Sequence, residues 1–169
     1  MDLSFLKYDV KGEMERNQYS WQEISFALEN KIINTQDAIN YAIFILDENV
    51  LGFEIVLEMT SLDADEDICP YIETLVRLEE HEEQQGIIEK WMYLILKWLY
   101  ENRSNYADVI EIVEELYESF GYPESIVSFV RYMPSEAGDL GSIELNRQRL
   151  FNNWKNYLSD FEEEHFLIK

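Results

Sequence analysis

Cysteine, proline, glycine and positive charge are all scarce in this chain of 169 residues, and each shortage narrows what the chain can be. With Cys69 as its only cysteine, no internal disulfide can form, and a chain of this length can bury roughly 70% of its unfolded surface without one. A lone thiol suits a reducing compartment, so a cytoplasmic location is expected, with Cys69 as a small core residue. Six Gly and three Pro are too few to punctuate a sheet of many tight turns, and no strand pair carries a hairpin signal. Long apolar runs are missing as well. The longest, Tyr41 to Leu46 and Trp91 to Leu96, fall far short of the ~18 to 20 residues needed to cross a bilayer. The start at Met1 and Asp2 has neither the basic opening nor the apolar stretch of a secretory signal, so none is expected.

Bases number 13 against 35 acids, a net charge of -22. Such a field repels a nucleic-acid backbone or an anionic membrane surface and speeds encounter with a basic protein, so a basic protein is the expected partner. Motifs that carry chemistry are short of essential members. His81-Glu82 opens like a zinc-protease helix, but Gln85 stands where the second imidazole belongs. Asp63, Asp65 and Asp67 imitate the start of a calcium loop, yet Ile68 and Thr74 occupy the positions of its glycine and closing glutamate. Of the two Glu-x-x-His pairs a helical di-iron site requires, Glu162 with His165 supplies one, while Leu78 precedes His81. No phosphate loop or nucleophile elbow occurs. The expectation is a chain without catalytic residues, metal or cofactor.

What the sequence does have is helical periodicity and an aromatic-rich apolar fraction of 47%. Ser20 with Glu23 forms a capping box ahead of Trp21, Ile24 and Leu28. Thr35 is a plausible cap for a stripe of Ala38, Ile39, Ala42, Ile43 and Leu46, and Val50, Phe53, Leu57 and Thr60 continue the pattern despite Gly52. Pro70 fits the first turn of the next helix. From Ile87 to Tyr100 the chain is apolar nearly all round, which places that helix centrally. Ser104 or Asn105 is expected to cap a segment running from Tyr106 to Phe120, with Gly121 as its stop and Pro123 opening a short helix. The fold class is therefore all-α: one acidic helical domain over residues 1–169, with an N-terminal arm at 1–18, a main loop at 134–141 and a last helix at 142–165. About eight helices with short links suggest a globular multi-helix bundle, with a short helical-repeat superhelix as the alternative.

The charge is polarised. Asp47 to Glu89 holds 14 acids against Arg77 alone, net -13, whereas Arg131 to Lys169 carries 7 acids and 5 bases, net -2. A run of acids is more often a solvated face than a docking surface, but its densest members, Asp65, Glu66, Asp67, Glu79, Glu80, Glu82 and Glu83, are the candidate partner-binding residues. Arg147, Arg149 and Lys155, flanked by Asn146, Asn152, Asn153 and Asn156, form a second patch, able to bind an acidic group or to pair with the chain's own acids.

Two segments carry a resemblance: Ser20-Trp21-Gln22-Glu23-Ile24 running on to Asp37-Ala38-Ile39-Asn40-Tyr41-Ala42, and Leu140-Gly141-Ser142 with Glu144-Leu145-Asn146 leading to Trp154-Lys155-Asn156-Tyr157-Leu158. They resemble a bacterial family of uncharacterised helical proteins that spans nearly the whole chain. The resemblance brings no catalytic residues. Small acidic bacterial proteins of this kind are often encoded beside polymorphic toxins, which implies an immunity protein binding a toxin, such as a nuclease with a basic cleft. The alternative is a non-catalytic adaptor or regulator that binds its partner in a groove between helices.

Overall fold

The computed structural model describes Tyr8, Gly12, Met14 and residues 16–134 and 138–165. Most of the arm expected at 1–18 lies outside the described residues; of the rest, Met14 is buried. Among the described residues the chain is all-α, with no strand, and divides into two compact units, residues 1–87 and 88–169. No helix among them is long and apolar enough to cross a membrane.

The first unit contains α1 (Trp21–Glu29), α2 (Thr35–Ile45), α3 (Phe53–Met59) and α4 (Cys69–Leu78). Ser20 and Glu23 close the expected capping box on α1. The α2 cap is Asn34 rather than Thr35, because Asp37 stands three residues after Asn34 and returns a bond to the Asn34 amide. Helix α1 packs on α2 and α4, and α3 packs on α2 and α4. Ile24, Ala27, Ala38, Ala42, Val56, Met59 and Leu75 are fully enclosed. Tyr41 fixes the entry to α1: its hydroxyl accepts from the Tyr19 amide and donates to the Tyr19 carbonyl, both at 2.7 Å, and its ring meets Trp21 edge-on at 5.9 Å.

Helix α5 (Gln84–Glu101) runs through the boundary between the units. Its six consecutive residues Trp91 to Leu96 are all buried, as its all-round apolar pattern requires. The second unit continues with a 3-10 turn (Arg103–Asn105), α6 (Val109–Ser119), a 3-10 helix (Glu124–Phe129) and α7 (Ile143–His165). Asp108 caps α6 through the Ile110 amide, so neither Ser104 nor Asn105 serves and Tyr106 stays outside the helix. The segment after Pro123 is 3-10 throughout and ends at Phe129. Against it packs α7, with Phe129 and Trp154 stacked at 5.8 Å, while Tyr93 of α5 stacks on Phe161 at 4.4 Å.

Two glycines give opposite predictions. Gly52 takes φ +73°, and a Cβ there would stand 2.5 Å from Leu75 Cδ2. Gly52→Ala is expected to destabilise by about 1–3 kcal/mol. Gly86 lies inside α5 with open space around it, so Gly86→Ala should stabilise by about 0.5–1 kcal/mol. Urea unfolding of both variants measures the two signs.

Candidate functional site

Helix α4 divides the candidate acids into two groups. Asp65, Glu66 and Asp67 lie exposed in the loop before it, and Glu79, Glu80, Glu82 and Glu83 follow it. With 10 residues in the helix, its ends are about 15 Å apart, so the acids form two patches rather than one cluster. Several have local tasks. Glu66 accepts from the Asp63 amide at 2.7 Å and Asp67 from the Cys69 amide at 3.0 Å. Cys69 is exposed, contrary to the expected core position, and its hydrogen bond to Asp67 pushes the thiol pKa up, away from a reactive thiolate.

Glu79 is the most committed of the seven. Its two carboxylate oxygens accept from the Trp21 amide at 2.7 Å and the Gln22 amide at 3.0 Å. These are first-turn donors of α1, where a negative charge also meets the positive end of the helix dipole. The Gln22 side chain completes the junction, donating to the Glu80 carbonyl at 2.7 Å and accepting from the Glu82 amide at 3.1 Å. Glu79 thus ties the segment after α4 to the start of α1. The side chains of Glu80 and Glu83 remain exposed and that of Glu82 half-exposed.

The first unit also carries apolar side chains that it does not absorb, three of them, Leu51, Leu57 and Leu78, within the acid-rich stretch. Ile43, Phe44, Leu46, Leu51, Leu57 and Leu78 are exposed, Ile43 and Phe44 each at 53%. Ile43, Leu46 and Leu57 belong to stripes expected to point inward. Instead α2 buries Ala38, Ile39, Tyr41 and Ala42, and α3 buries only Val56 and Met59. Leu78 approaches Gly52, beside the exposed Leu51. Exposed apolar side chains close to acidic ones are a feature that protein-docking surfaces share.

In the second unit the few bases are placed deliberately. Arg131 donates to Asp108 at 2.7 Å and to Glu114 at 2.8 Å, which raises its pKa and holds Asp108 below the usual carboxylate range. Lys97 pairs with Glu162 at 2.6 Å, and the Tyr93 hydroxyl donates to the same carboxylate, so Glu162 is also held low. Two cavities open in this unit. One, of about 410 Å³, is a polar cleft with Glu89, Asp160, Glu164 and His165 on its wall, where burial pushes the Tyr157 hydroxyl pKa up. His165 stacks on Phe161 at 4.0 Å, and its Nδ1 lies 3.1 Å from the Phe161 carbonyl. The other, of about 620 Å³, is lined by Arg131, Arg147 and Arg149 with Asp108 and Asp139. Arg147 and Arg149 stand out in the sequence as part of a basic patch, whereas Arg131 does not, because its carboxylate partners lie 17 and 23 residues away. Among the described residues no group of three or more His, Cys, Asp or Glu side chains is arranged to hold a metal.

The Glu79 cap predicts that Glu79→Ala destabilises by about 0.5–2 kcal/mol, whereas Glu80→Gln and Glu83→Gln stay within about 0.5 kcal/mol of the parent by urea unfolding. A pH prediction comes from Glu162. Its lowered pKa means that the folded state gains from the ionised carboxyl above the unfolded value, about 4.3, and loses this gain as pH falls through the lower folded value. Glu162→Gln should flatten the loss of thermal stability with falling pH below about 5, measured by circular dichroism.

No curated protein and no solved structure matches the chain. The model of one protein family matches residues 12–162, covering α1 through most of α7 and both capping-box segments. The chain belongs to that family, described as uncharacterised protein conserved in bacteria (DUF2247).

Proposed function

We propose that this chain works by binding, as a cytoplasmic immunity protein that docks the acidic and apolar surface of its first unit onto a basic toxin domain and blocks it without chemistry of its own. The observation that carries this reading is that two properties occur in overlapping stretches of the first unit. Residues 43–78 bear six exposed large apolar side chains, and the overlapping stretch Asp47 to Glu89 holds 14 acids against one base. Apolar area supplies affinity once water is excluded, while surrounding charge selects and steers the partner. A nuclease cleft, built to hold phosphates, offers the complementary positive surface.

Glu79 is committed to α1, and Glu66 and Asp67 to the amides of Asp63 and Cys69, so the contact is assigned to Glu80, Glu82 and Glu83 with Leu51 and Leu78, and in a second patch to Asp65. The reading requires a large secreted-toxin gene immediately upstream of this one, and co-expression with the toxin domain it encodes is the test in cells. Growth is expected to be rescued, and continued killing at good expression would overturn the reading. In vitro, reversing Glu80, Glu82 and Glu83 to Lys should slow association about tenfold and weaken its salt dependence. Stopped-flow kinetics that match the parent would remove these residues from the interface.

A further inference from the structure

Two tyrosines stand out from the surface of the second unit near the end of α6. Tyr122 is 59% and Tyr132 52% exposed, and each meets the buried Tyr117 ring, Tyr122 nearly perpendicular at 5.3 Å and Tyr132 at 61° and 6.2 Å. The Tyr122 backbone takes φ +62° immediately before Pro123, a conformation that a bulky residue in that position seldom adopts. Its amide closes the end of α6 by donating to the Tyr117 carbonyl at 2.8 Å. Glycine or asparagine would make the same turn with less strain, so the turn alone does not account for a tyrosine there. Among the described residues neither hydroxyl has a hydrogen-bond partner and no cation stands over either ring, although the same unit sets the Arg103 guanidinium 4.3 Å from the Tyr100 ring centre.

The charge round the pair is negative with every neighbour counted. Residues 106–132 hold six acids against Arg131, net -5. Arg131 is held between Asp108 and Glu114, and these three together sum to -1. Glu111, Glu115 and Glu118 are exposed at the i, i+4 and i+7 spacing of one helical stripe along α6, and among the described residues none of them is in an ion pair. The stripe reaches the tyrosines. The Tyr132 hydroxyl is held above its usual pKa first by loss of water and then by Glu118, the Tyr117 and Tyr122 phenols and Glu114, with no cation among them.

We propose that this surface binds an extended basic segment of another protein, with an arginine of that segment against the Tyr122 and Tyr132 rings and on the Glu118 carboxylate, and its following bases along Glu115 and Glu111. From Glu111 to Glu118 the helix rises about 10 Å, the span of about three residues of extended chain. A guanidinium stacks on an aromatic ring, sheds water more readily than an ammonium and matches a carboxylate with two parallel bonds, so arginine is preferred to lysine. The surface belongs to the second unit and does not depend on the docking proposed for the first.

The test is titration of the ¹⁵N-labelled full chain with the peptide acetyl-Gly-Arg-Gly-Lys-Gly-Lys-amide, followed by amide chemical shifts, beside peptides with lysine or neutral citrulline in place of the arginine. Saturable shifts centred on residues 111–122 and 131–133 are expected, with the lysine peptide, equal in charge, at least about threefold weaker and the citrulline peptide weaker still. Tyr122→Gly, which removes the ring and suits the positive φ, and Tyr132→Ser should each weaken the arginine peptide at least about threefold. Glu118→Gln, at an exposed side chain outside any ion pair among the described residues, should weaken it at least about twofold, so a folding defect in a tyrosine variant leaves this one decisive. Equal binding of the arginine and lysine peptides, shifts centred instead on the acids at 47–89, no saturation in the millimolar range, or unchanged affinity in Glu118→Gln or in a folded tyrosine variant would each overturn the proposal.

Discussion

Backbone amides at the starts of helices hold many of the carboxylates on which this fold depends, because the chain has too few cations to do so. Glu23 and Asp37 return bonds to their own cap residues, Asp108 takes the Ile110 amide, and Glu79 takes two amides of α1 from another part of its unit. Each is a charge-assisted bond at the positive end of a helix. An acidic chain can therefore fix its helix starts with the same residues that give it its charge. Ion pairs that join separate elements are seen at Lys97, with Glu162, and at Arg131, with Asp108 and Glu114, in the less acidic second unit.

That division of labour bears on function. Carboxylates holding a helix start cannot turn freely to a partner, so the docking surface proposed for the first unit is smaller than its count of acids suggests. The exposed acids beside Leu51 and Leu78 are the ones available. Apolar side chains beside them supply what charge alone does not, a surface that gains from losing water. In the second unit a base is held the same way, with Arg131 clamped between Asp108 and Glu114.

The helical class and most elements were legible from periodicity and caps, because both are local signals. The Ser20 box, the all-round apolar α5, the Gly121 stop and the Ser142 start of α7 fall where the pattern places them. Errors arose where two cap residues competed within a few positions. Asn34 prevails over Thr35 because Asp37 completes its box, and Asp108 prevails over Ser104 and Asn105 because Arg131 holds its other oxygen. The site was less legible for the same reason. Glu79 reaches amides 57 and 58 residues away, which no local pattern reveals. The exposure of Ile43 and Leu57 depends on how much of each stripe the first unit can cover.

If helix amides rather than cations stabilise this acidic molecule, the charge left over is net repulsion, and screening it must help the folded state. The unfolding free energy of the full chain in urea, measured from about 10 mM to about 300 mM sodium chloride, shortens the screening length from about 30 Å to under about 10 Å. Stability is predicted to rise across that range. A fall would mean that cation–carboxylate pairs carry the fold, contradicting the role assigned to the helix amides.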